Sequence, residues 1–328
     1  MKLHACRVFE DDGEVAGRIV EMDVDDLTPG DVVIRAEWSG VNFKDALAVT
    51  GRGRILKQVP LNAGIDVAGR VESSADPRFA PGAPVLVNGM GLGETSDGGF
   101  AERVRVPGDW IVPLPAGLDT RAAMVLGTAG FTAALALERM ELNGQAPDQG
   151  PIVVTGATGG VGSAAVSMLV RRGYRVIAVS GRPELEPYLR ELGASEVATP
   201  EALALGTRPL ERARFGGVID NLGGPLLAGM IRHVVPWGNV AAIGNTAGPT
   251  FDASVFPFIL RGVSLLGASS ANCPMALRAR IWQRLGDDLR PPALERIVGS
   301  TVPLAHVVAA CYTLMDRTSR GRVLVDCR

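Results

Sequence analysis

The sequence has few of the side chains that bind transition metals. Among 328 residues there are three histidines and four cysteines. Zinc sites take three or four such ligands at characteristic spacings, and disulfide frameworks take paired cysteines. No Cys-x-x-Cys pair occurs, and the histidines lie far apart. The sequence therefore predicts no metal site and four reduced thiols, at Cys6, Cys273, Cys311 and Cys327.

A basic excess is also absent. The formal net charge is -2 and the sequence pI is about 6.0, whereas nucleic-acid and membrane-surface binders normally carry excess positive charge. Gly, Arg or Asp interrupts the apolar runs before they reach a length that crosses a bilayer. The charge at Arg7 comes too early for a secretory signal. We expect a cytoplasmic protein without nucleic-acid or membrane partners.

Hydrophobic residues make up 47% of the chain and charged residues 21%, enough for two domains with buried cores. The first hundred residues favour short strands separated by Pro and Gly, which is typical of a small antiparallel barrel. From about Ile152 onward strands and helices alternate, which predicts a doubly wound parallel sheet. The strand candidates are 32–38, 65–71, 85–87, 102–106, 152–155, 175–179, 217–220 and 239–243, and the later helices are 160–172 and 183–192.

The strongest motif is a glycine-rich turn between the strand 152–155 and the helix that follows. Its sequence is Gly-Ala-Thr-Gly-Gly-Val-Gly from Gly156 to Gly162. Glycines let the turn tighten and let the backbone approach a diphosphate, and the helix N-terminus offers free N–H groups to its charge. The motif therefore predicts dinucleotide binding at Gly159, Gly160, Val161 and Gly162.

The end of the next strand decides which dinucleotide binds. NAD enzymes usually place Asp or Glu there to bind the ribose hydroxyls, but this chain has Ser180, Gly181 and Arg182. A hydroxyl and a guanidinium can bind a 2′-phosphate, and no carboxylate repels it. The sequence favours NADPH over NADH. The alternative is that Arg182 is only a solvated loop charge.

The same glycine motif fits short-chain dehydrogenases, but those begin with it and need a Tyr-x-x-x-Lys pair. Some 150 residues precede it here. Tyr174, Tyr188 and Tyr312 are followed four positions later by Ala, Leu and Asp. That interpretation fails.

The whole chain resembles the medium-chain dehydrogenase/reductase superfamily, specifically its zinc-independent quinone-oxidoreductase-like branch and the acryloyl-CoA reductase subfamily. Where zinc enzymes have a Cys ligand and a Gly-His-Glu segment, this chain has Asn42 and Gly64-Ile65-Asp66. The segments that carry the resemblance span nearly the whole sequence. They are 42–51, 77–79, 108–110, 127–133, 179–182, 257–261 and 321–322.

The resemblance implies an α/β fold with two domains. One is a Rossmann NADPH-binding domain of residues 121–264. The other is a discontinuous β-rich, barrel-like (GroES-like) catalytic domain of residues 1–120 plus 265–328. The strand candidate 263–267 extends the sheet across a dimer axis in relatives, so a homodimer is expected by analogy.

The resemblance also implies an activity, the NADPH-dependent reduction of the carbon–carbon double bond of a short 2-enoyl-CoA, acryloyl-CoA giving propionyl-CoA. It places Asn42, Phe43 and Lys44 beside the nicotinamide, with Asn42 and Lys44 as catalytic candidates. Further cofactor residues are implied at Thr128, Asn245, Ile259, Ser270 and Arg322.

Relatives commonly have Tyr at the position of Phe43, and a Phe donates no proton. Protonation could come from Lys44, from a ribose hydroxyl or from water. Lys44 is one of only three lysines among 33 basic residues, which suits a need for a compact donor. The alternative is a surface or salt-bridged lysine, for instance paired with Asp45.

Three functions stay open at this stage: the enoyl-CoA reductase, an NADPH-dependent quinone or enone reductase on the same scaffold, and a non-catalytic NADPH-binding protein. The basic loop of Arg52, Arg54 and Lys57 would meet CoA phosphates in the first. Solvated loop charges are the simpler interpretation of that loop.

Overall fold

The computed structural model describes all 328 residues. The strands are β1 (Lys2–Asp11), β2 (Glu14–Asp23), β3 (Val32–Val41), β4 (Leu61–Asn62), β5 (Asp66–Ser74), β6 (Pro84–Asn88), β7 (Arg103–Val106), β8 (Val112–Pro113), β9 (Ile152–Thr155), β10 (Val176–Val179), β11 (Glu196–Ala198), β12 (Phe215–Asp220), β13 (Val234–Ala242), β14 (Ser264–Gly267), β15 (Val298–Pro303) and β16 (Arg322–Asp326). The α-helices are α1 (Phe43–Val49), α2 (Thr120–Leu142), α3 (Gly160–Arg171), α4 (Glu186–Glu191), α5 (Gly224–Ile231), α6 (Phe256–Arg261), α7 (Met275–Gly286) and α8 (Val307–Met315).

The chain divides into two compact units. The β-rich unit comprises Met1–Thr128, Ser270–Gly286 and Val298–Arg328, and the parallel-sheet unit comprises Ala129–Ser269 and Asp287–Ile297.

The limits of these two units differ from the expected domain limits of 121–264 and 1–120 plus 265–328. β14 pairs in parallel with β13, so residues 264–267 complete the parallel sheet. The segment 287–297 also lies in the parallel-sheet unit, where the Arg171 side chain donates hydrogen bonds to the carbonyls of Asp287 and Asp288. At the other limit, the chain changes units just after Gly127, where α2 is kinked (φ 49°, ψ −155°).

The β-rich unit contains two sheets. A seven-stranded sheet has the order β15-β16-β3-β5-β6-β8, with β7 paired to β3, and a three-stranded sheet has the order β2-β1-β4. Apolar side chains on alternate positions of β1 and β3 contribute to its core, among them Leu3, Val32 and Ile34. The antiparallel barrel-like architecture predicted from the short strands is confirmed.

The parallel-sheet unit has six parallel strands in the order β11-β10-β9-β12-β13-β14. Renumbered within the unit, this is 3-2-1-4-5-6, the Rossmann order, in which ligands bind at the carboxyl ends of the strands where the order reverses. All four residues of β9 and all four of β10 are buried, as expected for strands covered on both faces. The predicted Rossmann sheet is confirmed.

One helix, α2, is long and apolar enough to cross a membrane by length and composition, although the sequence analysis found no such run. Of its most apolar 18-residue window, 89% is buried inside the structure, as in the core helix of a globular protein.

Candidate active site

The glycine loop connects β9 to α3 at the carboxyl edge of the parallel sheet. Gly156 begins it with φ +57°, and Gly159 is the N-cap of α3. Gly159 is exposed, and Gly160 and Val161 are half-buried. The first helical N–H groups have no intrahelical acceptors, so this loop presents them, with the positive end of the helix dipole, to an anion.

Steric contacts separate the roles of two glycines in this loop. A Cβ atom on Gly162 would lie 2.6 Å from the Ala157 Cα and still closer to the Gly156 carbonyl oxygen. A Cβ atom on Gly159 would meet only the Gly156 oxygen, at 3.4 Å. Gly162 is therefore required for the loop to close, whereas Gly159 faces open space that a phosphate can occupy.

Two residues that the sequence analysis missed hold the base of the loop. The Thr155 hydroxyl donates to the Asp220 carboxylate at 2.7 Å, and the Asn221 side-chain amide donates to the Thr155 carbonyl at 2.7 Å. Burial raises the pKa of Asp220. The carboxyl ends of β9 and β12 are thereby joined next to the glycine turn. The only signal of Asp220 and Asn221 in the sequence was that the first ends the predicted strand 217–220 and the second follows it.

The structure brings Ser180 and Arg182 to the glycine loop. The Ser180 hydroxyl accepts a hydrogen bond from the Arg182 backbone N–H at 3.0 Å, and the Arg182 guanidinium donates to the Thr158 hydroxyl at 2.8 Å. A Cβ atom on Gly181 would meet nothing within 4 Å. The turn after β10 thus places a hydroxyl and a guanidinium beside the phosphate loop, with open space between them.

Two other predicted cofactor residues lie in this unit. Asn245 is exposed on the loop after β13, and the neighbouring Thr246 hydroxyl donates to the Asn221 carbonyl at 3.2 Å. Ile259 is on α6 and is 67% exposed. Asn245 therefore lies on a loop that contacts the one after β12, and Ile259 presents a largely exposed apolar side chain.

In the β-rich unit, Asn42 is the N-cap of α1. The Asp45 carboxylate accepts hydrogen bonds from the Asn42 backbone N–H at 2.8 Å and from its side-chain amide at 3.1 Å. The backbone N–H of Ile65 donates to the other Asp45 oxygen at 2.9 Å. Asp45, at the third helical position, thus bonds back to the N-cap as in one half of a capping box, and this holds the first turn of α1, which carries Phe43 and Lys44.

The carboxylate of Asp66 is the centre of a buried polar group. It accepts hydrogen bonds from the Asn42 side-chain amide at 2.8 Å, from the Thr128 hydroxyl at 2.6 Å and from the Thr128 backbone N–H at 2.9 Å. The Arg322 guanidinium lies 3.5 Å from it and donates to the Asn42 Oδ1 at 2.8 Å. We call these residues and Asp45 the Asp66 cluster.

The Asp66 cluster contains one of the predicted cofactor residues. The resemblance implies that Arg322 lines the cofactor cleft, and in the β-rich unit its side chain is 3% exposed and pairs with Asp66. Its remaining donors point to the backbone carbonyls of Val41 and Met124. A buried carboxylate needs a paired cation, which is the physical reason for this position. The bare sequence gave no sign of the pairing, since 256 positions separate Arg322 from Asp66.

Burial, and then the charge of Asp66, raise the pKa of Asp45 to about 7. The hydrogen bonds from Asn42 and Ile65 oppose that rise. Burial lowers the pKa of Arg322, and the two carboxylates oppose that change. With Asp45 protonated, the Asp66 cluster contains one carboxylate and one guanidinium and is neutral.

Phe43 and Lys44 are the accessible side chains of the first turn of α1. Phe43 is 40% exposed. Lys44 is 37% exposed and its ammonium lies 2.7 Å from Glu94, so its carboxylate partner is Glu94 and not the suggested Asp45. The backbone carbonyl of Glu94 accepts a hydrogen bond from Lys57 N–H at 2.8 Å. This contact connects the basic loop to the partner of Lys44.

The last predicted cofactor residue, Ser270, is half-buried, and its carbonyl accepts a hydrogen bond from the guanidinium of Arg278 at 2.8 Å.

Zinc does not fit the residues present in the β-rich unit. The structure contains no group of three or more His, Cys, Asp or Glu side chains that would hold a metal ion. The two carboxylates beside Asn42 face its amide hydrogens and the Arg322 guanidinium.

Two protein families match the chain. Residues 28–116 match the Alcohol dehydrogenase GroES-like domain and residues 160–285 match the Zinc-binding dehydrogenase family. Among curated proteins, the chain is 46% identical over 313 residues to the putative quinone oxidoreductase YhfP of Bacillus subtilis, covering 95% of each chain. It is 43% identical over 323 residues to the probable acrylyl-CoA reductase AcuI of Escherichia coli, covering 98% of this chain and 99% of that one.

Solved structures give the same result. The yhdH oxidoreductase of Salmonella enterica, in complex with NADP, has a TM-score of 0.95 at 42% identity and covers 100% of both chains. Bacillus subtilis yhfP with NAD bound has a TM-score of 0.96 at 43% identity and covers 99% of both. The chain therefore belongs to the medium-chain dehydrogenase/reductase superfamily of oxidoreductases, in the branch that includes quinone oxidoreductases and acrylyl-CoA reductases.

Proposed function

We propose that this protein reduces the carbon–carbon double bond of a short 2-enoyl-CoA, acryloyl-CoA giving propionyl-CoA, with NADPH as the reductant. The observation that carries the redox part is the glycine loop at the reversal of strand order, with Arg182 hydrogen-bonded to Thr158 inside it. The full-length similarity to an acrylyl-CoA reductase supports the choice of substrate.

The proposed cofactor site lies on the parallel-sheet unit. The N–H groups at Gly160 to Gly162 would bind the diphosphate, and Ser180 with Arg182 would bind the 2′-phosphate. No carboxylate occupies positions 180 to 182. The complex of Salmonella yhdH with NADP supports NADPH. The relative yhfP has been solved with NAD bound.

When bound, the cofactor supplies a hydride to the β-carbon of the acceptor. Negative charge then develops on the thioester oxygen and must meet a donor that is already in position. Lys44 is the accessible cation of α1, and its ammonium has donors beyond the one directed at Glu94. The proton on the α-carbon would come from Lys44, a ribose hydroxyl or water, since Phe43 has none to give.

The acyl-CoA part of the proposal is supported by the basic loop. Arg54 and Lys57 are exposed, and Lys57 is hydrogen-bonded through its backbone to Glu94. A chain of contacts thus leads from Lys44 to a positive surface within the β-rich unit. Phosphate groups of CoA are suitable ligands for such a surface.

A second candidate function is the reduction of quinones or simple enones, favoured by the name of the relative YhfP. The decisive experiment follows NADPH absorbance with acryloyl-CoA, with a simple quinone and without acceptor. We expect fast oxidation with acryloyl-CoA. Oxidation with the quinone alone would establish the second function. Tight NADPH binding without turnover on any acceptor would establish a binding protein.

We also propose a homodimer formed through β14. This strand is an edge of the parallel sheet, and open edges invite pairing with a second chain. Exposed apolar residues accompany it, namely Val255, Phe256, Ile259 and Leu260 around α6, and Leu265 on the strand. Sedimentation equilibrium should give twice the mass of the chain, and Leu265→Asp should shift it toward the monomer.

A further inference from the structure

Both the nitrogen and the oxygen of the Asn42 side-chain amide form hydrogen bonds within the protein. Its nitrogen donates to Asp66, Asp45 and the Gly40 carbonyl, at 2.8, 3.1 and 3.2 Å. Its oxygen accepts from Arg322. The amide can adopt only this orientation, because the reverse would place its oxygen against the Asp66 carboxylate and the Gly40 carbonyl, and its hydrogens against a guanidinium. The amide nitrogen carries two hydrogens and already has three acceptors, so no hydrogen is left to donate to a substrate oxygen.

Two glycines make room for the guanidinium that holds this amide. A Cβ atom on Gly127 would lie 2.6 Å from an Arg322 nitrogen and 2.6 Å from an Asp66 oxygen, and a Cβ on Gly40 would collide with the same nitrogen. Gly127 also has a positive φ of 49°, which other residues rarely adopt. The backbone is thus shaped around Arg322 at two separate segments.

The need to pair the buried Asp66 carboxylate explains a cation at this place, but it does not explain the geometry in which Arg322 is held. Arg322 Nε is buried without a hydrogen-bond partner, and a buried donor left unsatisfied lowers the stability of the fold. The carboxylates of Asp45 and Asp66 both lie beside the Asn42 nitrogen and repel each other when ionised. Well-packed apolar residues are often as stabilising as a buried ion pair or more so. A positioning function accounts for the presence of the buried Arg322 guanidinium.

We propose that Arg322 is a positioning residue for the reduction. Through Asn42 it fixes the first turn of α1 and so the place of Lys44, whose ammonium is paired with Glu94. Asn42 is then a positioning residue as well. This inference rests on the proposed function, because Lys44 is assigned there to the substrate.

The test compares Arg322→Lys with Arg7→Lys. Arg7 forms another part-buried ion pair of the β-rich unit, 2.9 Å from Asp97, outside the proposed site. Arg322→Lys keeps the positive charge but removes the planar guanidinium, whose two nitrogens reach Asn42 and Asp66 at the same time. We expect kcat with acryloyl-CoA to fall about 10- to 100-fold, since small displacements of catalytic groups cost this much. The KM for NADPH should stay within about twofold of wild type. Arg7→Lys should lose comparable thermal stability and keep its kcat.

Gly40→Ala is the second variant, because it displaces the guanidinium without removing a charge. The same kcat loss is expected if it folds. A kcat unchanged in both variants, with stability lowered as in Arg7→Lys, would overturn the proposal.

A readout without turnover separates this inference from the proposed function. In ¹⁵N-asparagine-labelled protein, the side-chain amide protons of Asn42 should exchange slowly with solvent, and Arg322→Lys should make them exchange quickly. Fast exchange in the wild type, or slow exchange in both proteins, would overturn the positioning role. If acryloyl-CoA is not reduced but these exchange rates are as expected, the proposed substrate is wrong, whereas the positioning of Asn42 by Arg322 is supported.

Discussion

The Arg182 guanidinium donates a hydrogen bond to the Thr158 hydroxyl at 2.8 Å. The two residues lie on different loops of the parallel-sheet unit, one after β9 and one after β10. Their contact brings a fixed positive charge to the phosphate-binding turn. The adjacent carboxyl ends of β9 and β10, which pair in parallel from Ile152–Val176 to Thr155–Val179, make the contact possible.

The first prediction concerns coenzyme choice. Arg182→Ala should raise the KM for NADPH about 10- to 100-fold, because hydrogen bonds to charged groups contribute about 1.5–3 kcal/mol. The KM for NADH should change little, since NADH lacks the 2′-phosphate. Arg175→Ala, at an exposed arginine of the same unit, is the matched control. Equal changes for both coenzymes would remove Arg182 from the 2′-phosphate site.

A second prediction separates loop closure from phosphate access. Gly162→Ala should lower thermal stability, by about 1–3 kcal/mol for an overpacked site, and weaken NADPH binding as well. Gly159→Ala should leave stability near wild type, because its Cβ makes only one ordinary contact, yet still weaken binding by occupying the phosphate's space. Thermal unfolding and calorimetric titration with NADPH measure the two effects. Wild-type affinity in a folded Gly159→Ala protein would contradict the phosphate cradle.

The sequence predicted the parallel-sheet unit well because its signals are local. Each strand is a short apolar run, and the glycine turn lies between a strand and a helix that are adjacent in the chain. The predicted bounds 152–155 match β9, and 160–172 exceeds α3 by one residue. The helix predicted at 183–192 begins instead as a 3-10 turn at Pro183, and α4 covers only Glu186–Glu191.

A third prediction tests the acyl-CoA part of the proposal. Replacing Arg54 and Lys57 together by Ser should raise the KM for acryloyl-CoA about three- to tenfold, since exposed charge contacts contribute up to about 1 kcal/mol each. The KM for a quinone should not change. Added salt should narrow the gap between variant and wild type, because ions screen exposed charges. A double replacement of Arg18 and Arg35 by Ser, at exposed positions of the same unit, is the control. An equal loss in that control would mean that only net charge matters.

The β-rich unit was predicted less completely. The hairpin of β1 and β2 was missed, although its connection, Asp12-Gly13, has positive φ at both residues and is a strong hairpin signal. The Asp66 cluster had no comparable signal. Its members come from four distant segments, and spacing along the chain carries no information about such contacts. Family resemblance pointed to Asn42, Thr128 and Arg322, but only the three-dimensional structure shows the buried carboxylates that join them.

The last prediction follows from the raised pKa of Asp45, about 7 against about 3.9 for an aspartate in an unfolded chain. Between these values the folded protein holds a proton that the unfolded chain releases, so the contribution of Asp45 to the free energy of unfolding falls as pH rises through this window. The asparagine in Asp45→Asn cannot ionise, so the free energy of unfolding of this variant lacks that dependence on pH. Denaturant unfolding from pH 5.5 to 8.5 should therefore show the variant gaining stability relative to wild type up to about pH 7, with little further change above it. Asp31→Asn, at an exposed aspartate, should run parallel to wild type. If Asp45→Asn also runs parallel, Asp45 is ionised throughout and the Asp66 cluster carries a net negative charge.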